Sequence, residues 1–171
     1  VPIHRNADRK KQLQLLRKAR ELLTRTARHP LTSLISMAAA RLATTVSQLL
    51  QDPVIGLRWI ERSRAVVKKA RRFDDAAARE YHLQRLLLFN MMHDYFAGVE
   101  EARSLAALSP PGSVDWFTAQ SSLIHLQLKT EQYSAAAKSC TSALTQRGVG
   151  KISNVLLGRV KLRALYAQML L

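Results

Sequence analysis

Residues 133–144 read Tyr133-Ser134-Ala135-Ala136-Ala137-Lys138-Ser139-Cys140-Thr141-Ser142-Ala143-Leu144. Ala136, Cys140 and Ala143 follow Tyr133 at i+3, i+7 and i+10, which is one face of a helix. After Tyr133 that face carries only the small Ala136, Cys140 and Ala143, so a neighbouring helix can approach closely. The arrangement recurs twice upstream. Tyr95-Phe96-Ala97-Gly98-Val99 leads to Ala102 and Leu105, and Pro53-Val54-Ile55-Gly56-Leu57 leads to Ile60 and Ser63. The three starts are spaced by 42 and 38 residues. A segment that returns at such a period points to one supersecondary unit used repeatedly.

Outward from these segments the chain is helical throughout. Ala and Leu dominate, with only 6 Gly and 5 Pro in 171 residues, and both dominant residues lose little on entering a helix. Helices are expected over 7–28, 31–51, 53 to about 72, 75–92, 95–108, 114–129, 133–146 and 152–171. In the first, Leu16, Ala19, Leu23 and Ala27 share a face, with Leu15 and Leu22 beside it. In the second, Leu34, Ala38, Leu42 and Leu49 are expected to face inward. Asp52-Pro53 is a start signal, as is Asp74 or Asp75. His93-Asp94 and Glu131-Gln132 read as tight turns, and Ser109-Pro110-Pro111-Gly112-Ser113 as the clearest loop. Short connectors imply antiparallel neighbours, and no strand candidate emerges. Three stretches follow, all in one continuous stack. Residues 1–30 form a basic N-terminal helix, and 31–110 hold helical repeats with a basic face. Residues 111–171 hold a C-terminal repeat with a terminal or capping helix.

The segment Leu123–Leu144 resembles the tetratricopeptide repeat family, with Tyr133, Ala136, Cys140 and Ala143 at that family's second-helix positions. Tyr95, Gly98 and Ala102 match in the preceding unit, and Pro110 stands where the family often has its closing proline. First helices depart from the pattern. The family's Trp and Leu-Gly positions hold Gln120, Leu123 and Ile124 in one unit and His82, Arg85 and Leu86 in the other. The spacings of 38 and 42 also exceed the usual 34 or so. The resemblance implies an all-α, right-handed solenoid of about eight helices. It also implies a groove, lined by first helices, that takes a segment of another protein. Arg41 and Gln48 would line it from one unit, and Leu83, Leu87, Asn90 and Met91 from the next. Ser121, His125, Leu128 and Lys129 would line it from the last. That groove lacks the cationic set with which some family members clamp a C-terminal carboxylate.

The formal net charge is +15 and uneven. Residues 1–85 hold 19 Lys and Arg against 7 Asp and Glu, a net of +12, and residues 86–171 hold 8 against 5, a net of +3. Such asymmetry suits an acidic or polyanionic partner. Arg58, Arg62, Lys69 and Arg72 fall at i, i+4, i+11 and i+14 of one helix, and Lys68 widens the stripe. It is a basic face for an acidic protein segment or, as the alternative, for nucleic acid or an anionic surface. Aromatic residues able to stack on bases are sparse there: Trp59 and Phe73.

Catalytic chemistry finds no constellation. His4, His29, His82, His93 and His125 form no i, i+3 or i, i+4 pair, so no helical metal site is spelled out. Cys140, the single cysteine, lies on the small-residue face and reads as a structural thiol, in keeping with a reducing compartment. Glu100-Glu101 and Asp74-Asp75 are neighbours that point apart on a helix. No apolar run reaches the roughly 20 residues of a membrane span. The sequence therefore reads as a non-catalytic scaffold or adaptor with no cofactor and no metal, cytoplasmic or nuclear. A regulatory domain of a larger signalling or transcription protein is a further alternative.

Overall fold

In a computed structural model of the chain, residues 2–26, 29, 32–69, 74–147 and 152–171 are described. They form eight α-helices and, among the described residues, no strand. The helices are α1 (Pro2–Arg25), α2 (Thr32–Leu50), α3 (Pro53–Lys69), α4 (Asp75–Met91), α5 (Tyr95–Leu108), α6 (Val114–Lys129), α7 (Tyr133–Thr145) and α8 (Asn154–Met169).

The starts have physical causes. Asp74 rather than Asp75 caps α4, its Oδ1 accepting from the Ala77 amide at 2.8 Å. Asp94 caps α5 through the Ala97 amide at 3.1 Å, and Asp52 accepts from Ile55 at 3.3 Å. Ser113 and Ser153 do the same for Trp116 and Leu156 at 3.1 and 3.3 Å. Each satisfies one of the amides that a helix start leaves without an internal partner.

The connections repeat as well. Gln51, His93 and Glu131 are the described non-glycine residues with positive φ, at 52, 57 and 60°. Each stands two residues before the start of α3, α5 or α7. At two of them the next amide reaches back five residues, Asp52 to the Ser47 carbonyl at 3.0 Å and Gln132 to the Gln127 carbonyl at 2.8 Å. Left-handed residues in this setting end a helix by satisfying its last carbonyls. The same turn thus returns at the same intervals as the small-residue face.

Contacts group the chain into two compact units, Val1–Met92 and His93–Leu171. In the first, α2 packs against α1, α3 and α4, and α3 also meets α1 and α4. In the second, α6 packs against α5, α7 and α8, and α7 against α8. The basic N-terminal helix is therefore part of the first unit's packing, and α5 packs with α6. Leu16, Ala40, Ala43, Val46, Ile60, Tyr81 and Leu88 form one core. Trp116, Phe117, Ile124, Cys140, Ala143, Ile152 and Val160 form another.

The recurring face points inward in all three helices: Gly56, Ile60 and Ser63, Gly98, Ala102 and Leu105, and Ala136, Cys140 and Ala143 are buried. Gly56 shows why small residues stand there. A Cβ at that position would collide with the Ser47 hydroxyl and lie 2.9 Å from Leu88 Cδ1, so α2 and α4 close on α3 only over a glycine.

The expected inward face of α2 is corrected. Leu34 and Leu49 are 61% and 65% exposed, Ala38 is exposed and Leu42 only half-buried. The buried residues are Thr32, Ser36, Ala39, Ala40, Ala43, Thr44, Val46 and Ser47. Three helices crowd α2, and close approach over small side chains outweighs burial of two leucines. The buried hydroxyls cost little because Ser47 donates to the Ala43 carbonyl at 2.8 Å and Ser36 to the Ser33 carbonyl at 2.7 Å.

Candidate functional site

Within the first unit, the expected groove residues sit on α2 (Arg41, Gln48) and α4 (Leu83, Leu87, Asn90, Met91). Arg41 is committed to an internal bridge. Its Nε and Nη2 each donate at 2.7 Å to the two carboxylate oxygens of Glu80, a bidentate pair across α2 and α4. Gln84 adds a third donor at 2.7 Å. Burial pushes the Glu80 carboxyl up, but the hydrogen bonds from Arg41 and Gln84 and the Arg41 charge outweigh it and hold it below its ordinary value. Tyr81, one residue on, is buried with its hydroxyl against Ser36 and Ser63, and burial raises its pKa. Met91 packs on the core, Leu83 and Asn90 are half-buried, and Gln48 and Leu87 are exposed.

Within the second unit the expected residues come together. His125, Leu128 and Lys129 of α6 line an open cleft of about 360 Å³ whose other wall is Leu162, Arg163 and Tyr166 of α8. Ser121 lies below it, buried, accepting from Arg163 Nη1 at its carbonyl (2.5 Å) and its Oγ (2.6 Å). Ser121 therefore positions the guanidinium and does not itself face a ligand. Arg163 has no carboxylate partner among the described residues, whose ion pairs are made by other cations. Burial lowers its pKa and the Arg159 charge adds to this. The His125 imidazole is also held low, by burial first and then by Arg163 and Lys129. The cleft thus offers a guanidinium and an ammonium beside the apolar surfaces of Leu128, Leu162 and Tyr166, with no acidic side chain in its lining.

Sequence reasoning missed the α8 wall. Val155, Leu162, Tyr166 and Met169 stand at i, i+7, i+11 and i+14, an apolar stripe that is 53% to 83% exposed and continues the cleft's wall along the helix. The spacing was available in the sequence; the fact that it faces solvent was not. Cys140, by contrast, is buried, 3.9 Å from the Val160 carbonyl, and burial raises its thiol pKa.

On the basic face, Arg58, Arg62 and Lys68 of α3 are exposed. Arg72 lies outside the described residues, as does the side chain of Lys69. The Arg62 guanidinium sits 5.6 Å from the Trp59 ring centroid. Trp59 also belongs to a second open cleft, of about 310 Å³, with Arg17, Arg20, Glu21, Thr24 and Arg25 of α1. Arg17 and Trp59 are distant in sequence, so periodicity within either helix could not bring them together. Among the described residues no three His, Cys, Asp or Glu side chains are placed to hold a metal ion, and no helix is long and apolar enough to cross a membrane.

Comparison of the chain with protein-family models, curated proteins and solved structures finds no match.

Proposed function

We propose that this chain is a non-catalytic protein-interaction module of tetratricopeptide-like helix hairpins that holds a segment of another protein. The recurring turn at Gln51, His93 and Glu131 and the buried small-residue face beside each support the repeat reading. The observation that carries the function is the α6–α8 cleft, where the half-buried Arg163 stands without a carboxylate partner among the described residues. A protein leaves a desolvated cation unpaired at a cost, and a carboxylate from a partner removes that cost. Leu128, Leu162 and Tyr166 supply the apolar contact beside it. The segment that fits has an apolar side chain next to Asp or Glu.

Selection of peptides from a random displayed library tests this. The enriched peptides carry an acidic residue flanked by apolar ones, and Tyr166→Ala or Lys129→Glu weakens them by about tenfold, the worth of about 1.4 kcal/mol. Enrichment of no peptide over a bare support, or of peptides indifferent to both substitutions, rejects the reading.

A further inference from the structure

We propose that the cleft between α1 and α3 binds single-stranded nucleic acid, with phosphates on Arg17, Arg20 and Arg25 and a base against Trp59. Three arginines from one helix and an indole from another line a single open cleft of about 310 Å³. None of the three guanidiniums is engaged by a carboxylate among the described residues, although Glu21 lies on the same wall. Along the helix axis they rise by about 4.5 Å and then about 7.5 Å, on the scale of successive phosphates in an extended strand. Arg62 already lies over the Trp59 ring, so the indole accepts a planar cationic group. A planar base that enters beside the ring finds stacking surface on both. An acidic peptide would use the guanidiniums and leave the indole idle, which is why a strand carrying both phosphates and bases is the better fit. The field favours the same ligand, since residues 1–85 carry a net charge of +12.

This site lies in the first unit, apart from the α6–α8 cleft, so either reading can fail alone. The test is anisotropy of a labelled oligothymidylate of about 15 nucleotides with the full chain. It is run from roughly 50 mM salt upward, beside tryptophan fluorescence. The expected result is binding that quenches the fluorescence. The pair Arg17→Glu and Arg20→Glu then weakens binding by more than about tenfold and reduces the log–log salt slope by about 1.4, or 0.7 for each lost phosphate contact. The milder Arg17→Gln and Arg20→Gln pair keeps the test open should the reversal disturb the helix, and circular dichroism checks each variant. Trp59→Phe removes most of the quenching and keeps the salt slope. Lys138→Glu with Lys161→Glu changes the total charge equally through exposed residues of the other unit, and it leaves the affinity within about threefold. Absence of binding at roughly 50 mM salt overturns the proposal. So does equal weakening by the Lys138 and Lys161 reversals, which would mean bulk charge alone. Equal competition by polyglutamate or phosphatidylserine vesicles also overturns it, because the ligand would then be an acidic protein or a membrane surface.

Discussion

The two units use the same recurring helix face and deploy their polar groups differently. In Val1–Met92, small residues bring α2, α3 and α4 together, and polar groups cross the gaps: the exposed Arg41 closes over buried Glu80, which also accepts from Gln84, and Tyr81 lies against two serines. In His93–Leu171 the core is bulkier, with Trp116 and Phe117 packed edge to face at 5.0 Å. Its half-buried guanidinium, Arg163, answers to Ser121 and to no carboxylate among the described residues. The difference teaches how to read an arginine set between helices. One that meets a buried carboxylate fixes two helices, whereas one left open in a cleft with apolar walls is a recognition group.

Truncating the bulkier core tests the contrast with the biggest effect. Phe117→Ala should destabilise the chain by about 3–5 kcal/mol in urea unfolding, because it opens a cavity beside Trp116. Arg41→Ala should cost about 2 kcal/mol at neutral pH, leaving Glu80 buried with only Gln84. The two costs differ in pH dependence. Because Glu80 is held below its ordinary 4.5 in the fold, the bridge contributes fully above that value and is lost as pH falls through the folded one. The Arg41→Ala penalty therefore shrinks in acid, while that of Phe117→Ala stays constant. Equal acid dependence of the two would erase the distinction between a polar and an apolar unit.

Smaller effects probe the packing itself. Gly56→Ala loses about 1–3 kcal/mol to overpacking against Ser47 and Leu88 and regains up to about 1 in helix propensity, for a net loss of about 1 kcal/mol. Ser47→Ala should restore part of it. Smallest is Glu131→Gly, which relieves a left-handed residue that a side chain disfavours and should stabilise by about 0.5–1 kcal/mol. A loss there would mean that Glu131 holds the turn by its side chain.

Much of this was legible in the sequence, and the failures have a common cause. Helix starts were readable because Asp52, Pro53 and Asp74 act on their own next turn. The inward face of α3, α5 and α7 was readable because a small residue at i+3 of a recurring i, i+3, i+7, i+10 face has one physical use. The α2 face was misread because leucine was expected inside, whereas close contact with three helices selects Ala40, Ala43 and Ser47 and leaves Leu34 and Leu49 outside. His125, Leu128 and Lys129 were placed in a groove by the family resemblance. Arg163 and Tyr166 were not, since what meets α6 is decided by tertiary packing across 40 residues or so of chain. The α1–α3 cleft was hidden in the same way: the charge of the N-terminal half was plain, and its convergence on Trp59 was not.

Hydrogen exchange read by mass spectrometry, with and without a selected acidic-apolar peptide, tests the interaction reading most directly. Protection should rise in α6 around residues 125–129 and in α8 around 162–166, and Arg163→Ala should abolish it. Protection confined to α2 and α4, or none at a saturating peptide concentration, would contradict a recognition site in the α6–α8 cleft.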